Sequence, residues 1–158
     1  MGAHQAVEQM LGYLYQVRYA LLLLLQNDDE QAQICIEKFD DIAFSHDDNN
    51  SERMIQLKHH TKAYGDLTDG STDIWRTIKV WADLVYKDAT CLTRTKFIII
   101  TTAIAPEKSA ASYLKPITNE LGRDARVAFS LLKEITKTSK NIKHESYYKL
   151  FNKLGDER

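Results

Sequence analysis

Between residues 7 and 26, Leu11, Leu14, Tyr15, Val17, Arg18, Leu21, Leu22 and Leu25 recur at steps of three and four. That period predicts a helix over 7–26. The run of five leucines from 21 to 25 widens the apolar face, so the helix is expected to be buried nearly all round, with NDDE ending it. The period then drops to two. Ile34, Ile36, Ile42 and Phe44 fall at even positions, which predicts a strand over 33–44. SHDDNNSE reads as a loop by composition. Ile55 and Leu57, set against Gln56 and Lys58, predict a second strand over 53–60, antiparallel to the first. KAYGDLTDGSTD is irregular. Ser71 or Thr72 is suited to cap a helix over 73–87 that buries Ile74, Ile78, Trp81 and Val85, while Trp75 is a candidate to pack under the N-terminal helix. TKFIIITTA (95–103) is a continuous apolar, β-branched run of the kind covered on both faces, often the central parallel strand of an α/β layer. Helical segments follow over 109–121, 124–137 and 145–154. The order predicts an α/β fold. A mixed sheet of about four strands carries the N-terminal helix on one side and the 73–87 helix on the other, with a helical C-terminal layer.

At 158 residues, 44% hydrophobic and 27% charged, the chain has enough apolar material for one core. It is read as a single domain, 1–158, forming the N-terminal part of a longer protein. The formal net charge of -1 offers no bulk attraction for nucleic acid, but it hides an asymmetry. From residue 27 to 52 nine acids stand against one base, Lys38; from residue 53 onward 19 Lys/Arg face 12 Asp/Glu. Cys35 and Cys91 lie in apolar segments without CxxC spacing and are expected as buried thiols in a reducing compartment. The leucine run is too short to span a bilayer and no signal peptide is visible, so no membrane association and a cytoplasmic location are expected. There is no Gly-rich phosphate loop, no GxSxG and no Cys–His nucleophile pair. His46, His59 and His60 lack zinc-ligand spacing.

The acidic and basic parts meet in the 33–60 hairpin. Alternation sets Glu37, Phe39 and Asp41 on one face, Asp40 and Ile42 on the other, and gives Gln56 and Lys58 a shared face on the next strand. In a matching register, Asp41 and Lys58 converge at one end of the sheet with Gln56 adjacent, and Glu37 is within reach of a second metal or a water. Such a set suits metal-dependent phosphodiester cleavage. Asp41 supplies an anionic ligand; Gln56 offers its side-chain carbonyl and Leu57 its main-chain carbonyl. Mg²⁺, with Mn²⁺ as substitute, is a hard ion that prefers oxygens. Lys58 would orient or deprotonate the attacking water and stabilise charge on the phosphate. The same spacing is also that of a surface acid facing a surface lysine, a pair worth ~0.2–1 kcal/mol.

IEKFDD followed by IQLKHH resembles the PD-(D/E)xK nuclease superfamily in its D…QxK form. GYLYQVRYALLLLL, IEKFDDIAF, IQLKHH and DGSTDIWRTIKVWADLV also follow one another as in the Cap-type double-stranded DNA endonuclease domain of bacterial antiphage effectors. The likeness covers roughly residues 11–103. It implies a restriction-endonuclease-like mixed sheet and a site of Asp41, Gln56 and Lys58, with Asp40 as the competing assignment, Glu37 as auxiliary acid and Gln16 as a further contact. It departs from the superfamily pattern in having no proline before the aspartate and Gln56 in place of a second acid. It implies a magnesium-dependent endonuclease of low sequence specificity acting on double-stranded DNA, and self-association under a sensor domain or partner subunit outside these residues. A catalytically silent nuclease-like DNA-binding or assembly module, or a purely structural interaction domain, are the competing functions.

Outside the hairpin, His59 follows the lysine, and Arg76 and Lys79 lie on the polar face of the 73–87 helix. Phosphate contacts from such positions fix register without reading sequence, and DGSTD offers N–H groups to a phosphate; a solvated helix face has the same pattern. Arg123, Arg126, Lys133, Lys137, Lys140, Lys143, Lys149 and Lys153 dominate the last third. They form either an electrostatic footprint for duplex DNA or a docking surface for a neighbouring domain.

Overall fold

The computed structural model of the chain describes residues 3–38, 41–47, 50–58, 65–116 and 123–156. In chain order the elements are α1 (Ala3–Leu25), β1 (Gln33–Lys38), β2 (Asp41–Asp47), β3 (Asn50–Lys58), α2 (Thr72–Lys87), α3 (Cys91–Arg94), β4 (Lys96–Thr101), α4 (Ala110–Leu114), α5 (Ala125–Thr138) and α6 (Glu145–Asp156). They form two compact units interleaved in sequence. One comprises Met1–Ala63 and Asp88–Thr102, the other Tyr64–Lys87 and Ala103–Arg158.

The first unit is a four-stranded mixed sheet in the order β1-β2-β3-β4, antiparallel through β3 and parallel between β3 and β4. The expected strand over 33–44 is two strands. The chain reverses between Lys38 and Asp41, which pair with each other. Ile34 faces Phe44 and Ile36 faces Ile42 across that reversal. The even-numbered apolar positions thus stay on one side before and after the turn, and the sequence shows one unbroken alternation. The expected loop is shorter than its composition suggests, because β2 continues to Asp47 and β3 begins at Asn50. Ladder hydrogen bonds use backbone groups and need no apolar side chains. Two register shifts interrupt this polar end, and the Arg53 guanidinium lies 5.2 Å from the centroid of the Phe44 ring. The 95–103 run forms β4, parallel to β3 as expected. It is an edge strand of the described sheet, however, and none of its residues is fully buried.

One face of the sheet makes this unit's core. Ile42, Ile55 and Leu57 are buried, with Ile34, Ile36, Ile98 and Ile100 packed beside them, against Tyr15, Tyr19, Ala20 and Leu23 of α1. Burial of α1 stops at that stripe. Leu11, Leu14, Leu21, Leu22 and Leu25 remain exposed, Leu25 at 77%, which corrects the expectation of a helix buried nearly all round. A helix lying on a single sheet covers only the stripe that faces it, and the leucine run extends beyond that stripe. Cys35 is exposed, also against expectation, while Cys91 on α3 is buried.

The second unit packs around Trp75, which is fully buried. Its ring meets Tyr148 edge-on at 4.5 Å and Phe151 at 5.5 Å, so its neighbours belong to α6. Its Nε1–H donates to the Asp69 carbonyl at 2.7 Å. The Asp69 carboxylate in turn accepts from the Ala110 N–H at 2.6 Å, which ties the irregular 65–71 segment to α2 and α4. Leu67, Ile74, Ala110, Ala128 and Leu132 complete the cluster, with Ile78 partly buried at its edge. Ser71 caps α2 by accepting from the Ile74 N–H at 3.3 Å, and Asp124 caps α5 by accepting from the Arg126 and Val127 N–H groups at 3.0 Å. Of the helix expected over 109–121, Ala110–Leu114 is helical, and residues 117–121 lie outside the described residues. Pro116 follows closely, and the residue before a proline is pushed out of helical geometry. Among the described residues no helix is long and apolar enough to cross a membrane.

Candidate active site

The C-terminal half of β3 carries the residues singled out for chemistry. Ile55 and Leu57 point into the core under α1, so strand alternation turns Gln56 and Lys58 to the opposite face. Gln56 is 3% exposed and Lys58 is half-buried. An amide at that depth must be matched by polar partners, and Gln56 does take part in polar or electrostatic contacts, as do Leu57 and Lys58.

Ile42 on β2 pairs with Ile55 on β3. One residue back from Ile42 and one on from Ile55 stand Asp41 and Gln56, at adjoining positions of neighbouring strands. Lys58 is two residues further along β3. The backbone register therefore brings Asp41, Gln56 and Lys58 to one end of the β2–β3 pair. The Thr102 N–H donates to the Lys58 carbonyl at 3.2 Å, so that carbonyl is directed toward β4. Successive strand carbonyls point to opposite edges, which directs the Leu57 carbonyl toward the β2 edge, where Asp41 begins its strand. The oxygens at this end of the pair are those of an amide and a main-chain carbonyl, both on residues that have other contacts, with a carboxylate residue at the adjoining position. That donor chemistry fits a hard divalent cation.

Other candidates lie elsewhere. Glu37 is in β1 at a register shift between Ile36 and Lys38, so simple alternation does not carry through it. Asp40, His59 and His60 lie outside the described residues, as does Phe39. Gln16 is half-buried on α1, next to Tyr15, which packs on the sheet core. Arg76 and Lys79 belong to the second unit and are exposed on α2; the Lys79 ammonium pairs with Asp83 at 2.7 Å. Among the described residues no three His, Cys, Asp or Glu side chains gather to hold a metal ion.

Sequence reasoning passed over three polar side chains in the second unit. His144 is 3% exposed, between Thr72 at 3.3 Å from its Nε2 and Asn141 at 3.2 Å from its Nδ1. Desolvation, with the Arg76 and Lys143 charges, holds its pKa below the usual 6.5. Ser139 and Asn141 sit beside it in the α5–α6 connection. Short polar residues between helices carry no period, so only the tertiary contacts single them out. Comparison of the chain with protein-family models, with curated proteins and with solved structures found no match.

Proposed function

We propose that the chain is a magnesium-dependent endonuclease acting on double-stranded DNA, with Asp41, Gln56 and Lys58 as its centre. The observation that carries this reading is the β2–β3 register, in which Asp41 adjoins Gln56 while Lys58 follows on the same face of β3 as Gln56. Asp41, the Gln56 side-chain oxygen and the Leu57 carbonyl would hold the metal, and Glu37 would act as auxiliary acid. When bound, the ion supplies Lewis-acid polarisation of a phosphate oxygen and a more acidic water. The chain's own part is positional and electrostatic. The buried Gln56 amide, set in a rigid ladder, orients its oxygen; the Lys58 ammonium holds the attacking water and stabilises negative charge on the phosphate.

Contacts made to phosphate rather than to base edges give little sequence preference, in keeping with Arg76 and Lys79 as backbone contacts. The role of effector module in a bacterial antiphage system, restrained by a sensor domain or partner subunit and triggered by self-association, rests on the IEKFDD, IQLKHH and DGSTDIWRTIKVWADLV resemblance.

The test is plasmid degradation in Mg²⁺, with and without EDTA, comparing wild type with Lys58→Ala. Loss of one transition-state donor lowers rate by about 10²–10³-fold, and EDTA abolishes cleavage. Equal degradation by the two proteins removes the catalytic assignment. Duplex binding without any cleavage supports a catalytically silent nuclease-like module instead.

A further inference from the structure

The second unit contains an open cleft of about 310 Å³ between the end of α5 and α6, lined by Ser139, Lys140, Asn141, Tyr148 and Lys149 among others. Its hydrogen-bond inventory is unbalanced toward donors. Ser139 Oγ accepts from the Tyr148 hydroxyl at 2.9 Å and from the Asn141 N–H at 3.2 Å. The Tyr148 hydroxyl also lies 3.4 Å from His144 Nδ1; with that nitrogen taken by the Asn141 amide, the Tyr148 proton goes to Ser139, whose own hydroxyl proton is left to donate. Asn141 Oδ1 accepts from the Lys143 N–H at 3.1 Å, which fixes the amide; one N–H goes to His144 Nδ1 at 3.2 Å and the second remains. The cleft's carboxylate, Glu145, is held by Lys149 at 2.7 Å. Lys140 has no ion pair among the described residues. A hydroxyl, an amide and an ammonium, all offering protons, call for an oxyanion.

The cleft also offers no stacking surface for a base. The Tyr148 ring is 5% exposed and packs edge-on against Trp75 and His144. The donor set suits a phosphate, and the cleft lacks the exposed ring on which readers of single strands stack bases. Resting on the reading of the chain as a DNA-cleaving protein, we infer that the α5–α6 cleft binds a backbone phosphate of the duplex, with Lys140, Ser139 and Asn141 as its donors. This contact is blind to sequence and separate from the Asp41–Gln56–Lys58 centre.

The experiment is fluorescence anisotropy of a labelled duplex against the full chain at several salt concentrations. It compares wild type, Lys140→Ala, Ser139→Ala and Lys115→Ala, an exposed lysine outside the cleft, with far-UV circular dichroism to verify folding. Lys140→Ala is expected to weaken binding about 3- to 10-fold and to reduce the slope of log K against log salt by about 1. The loss should be equal on duplexes of different base composition. Ser139→Ala should weaken binding with the slope unchanged, because it removes a neutral donor. Unchanged affinity and slope in Lys140→Ala overturn the inference. So do an equal loss in Lys115→Ala and a wild type that does not bind duplex at low salt. Cleavage that ignores Lys58, with binding that needs Lys140, sinks the catalytic assignment and keeps the cleft; the reverse result sinks the cleft and keeps the catalytic assignment.

Discussion

His144 is held neutral by the groups facing its ring. The Asn141 amide, oriented by the Lys143 N–H on its oxygen, presents a donor to Nδ1, so Nδ1 accepts and Nε2–H donates to the Thr72 hydroxyl. Desolvation disfavours the imidazolium most, followed by the Arg76 and Lys143 charges, and a proton on Nδ1 would face the Asn141 N–H, with the Tyr148 hydroxyl 3.4 Å away as the other neighbour. Because the folded pKa lies below the ordinary 6.5, the unfolded chain takes up the proton first as pH falls. The stability contributed by neutral His144 is complete above about pH 6.5 and is lost progressively below it. Urea midpoints are therefore expected to fall between pH 7.5 and 5.5 in wild type, and to fall less in His144→Gln. Gln56 and Lys58 were legible as a pair because residues two apart on a strand share a face. His144 was not, since its burial depends on Thr72, 72 positions away.

At the element scale the cap of α2 is readable, with Ser71 one of two candidates, while Asp124 reads as the first residue of its helix and the turns are less legible still. Asp124 and Ser71 stand where the period of the following helix begins, and each accepts the N–H groups that a first turn leaves without partners. Asp124→Ala is expected to destabilise the protein by about 1 kcal/mol, measured as a lower urea midpoint at unchanged m-value. The reversal between Lys38 and Asp41 was hidden because the register pairs even positions with even positions. The reach of the leucine run was overstated for a related reason. Period identifies which positions are apolar, while burial depends on what arrives to cover them. Leu25→Glu, at a position 77% exposed, is accordingly expected to change monomer stability by less than about 0.5 kcal/mol in thermal or urea unfolding.

At the scale of the whole molecule, two cores share no residue, and the chain crosses between the units after residues 63, 87 and 102. Both tryptophans, Trp75 and Trp81, lie on α2 in the second unit, so tryptophan fluorescence reports that unit, while circular dichroism reports both. Ile55 is 2% exposed in the core of the first unit. Ile55→Ala is expected to cost about 2–5 kcal/mol there, and proteins open in cooperative units that differ in stability. The circular dichroism transition of Ile55→Ala should then begin at lower denaturant than the fluorescence transition, and coincident transitions would show a single cooperative unit.

The amino-acid order by itself determined the α/β class, the N-terminal, second and last two long helices, the β3 and β4 strands, and the shared face of Gln56 and Lys58. These follow from period, from capping and, for β4, from a continuous β-branched apolar run, all of which act between residues a few positions apart. Tertiary structure alone decided that residues 33–47 double back, that Asp41 adjoins Gln56, and which stripe of α1 is covered. It also decided that Ser139 and His144 meet Tyr148 and that His144 meets Thr72. Pairing register and burial are properties of groups brought together from distant points of the chain, and local periodicity has no term for them.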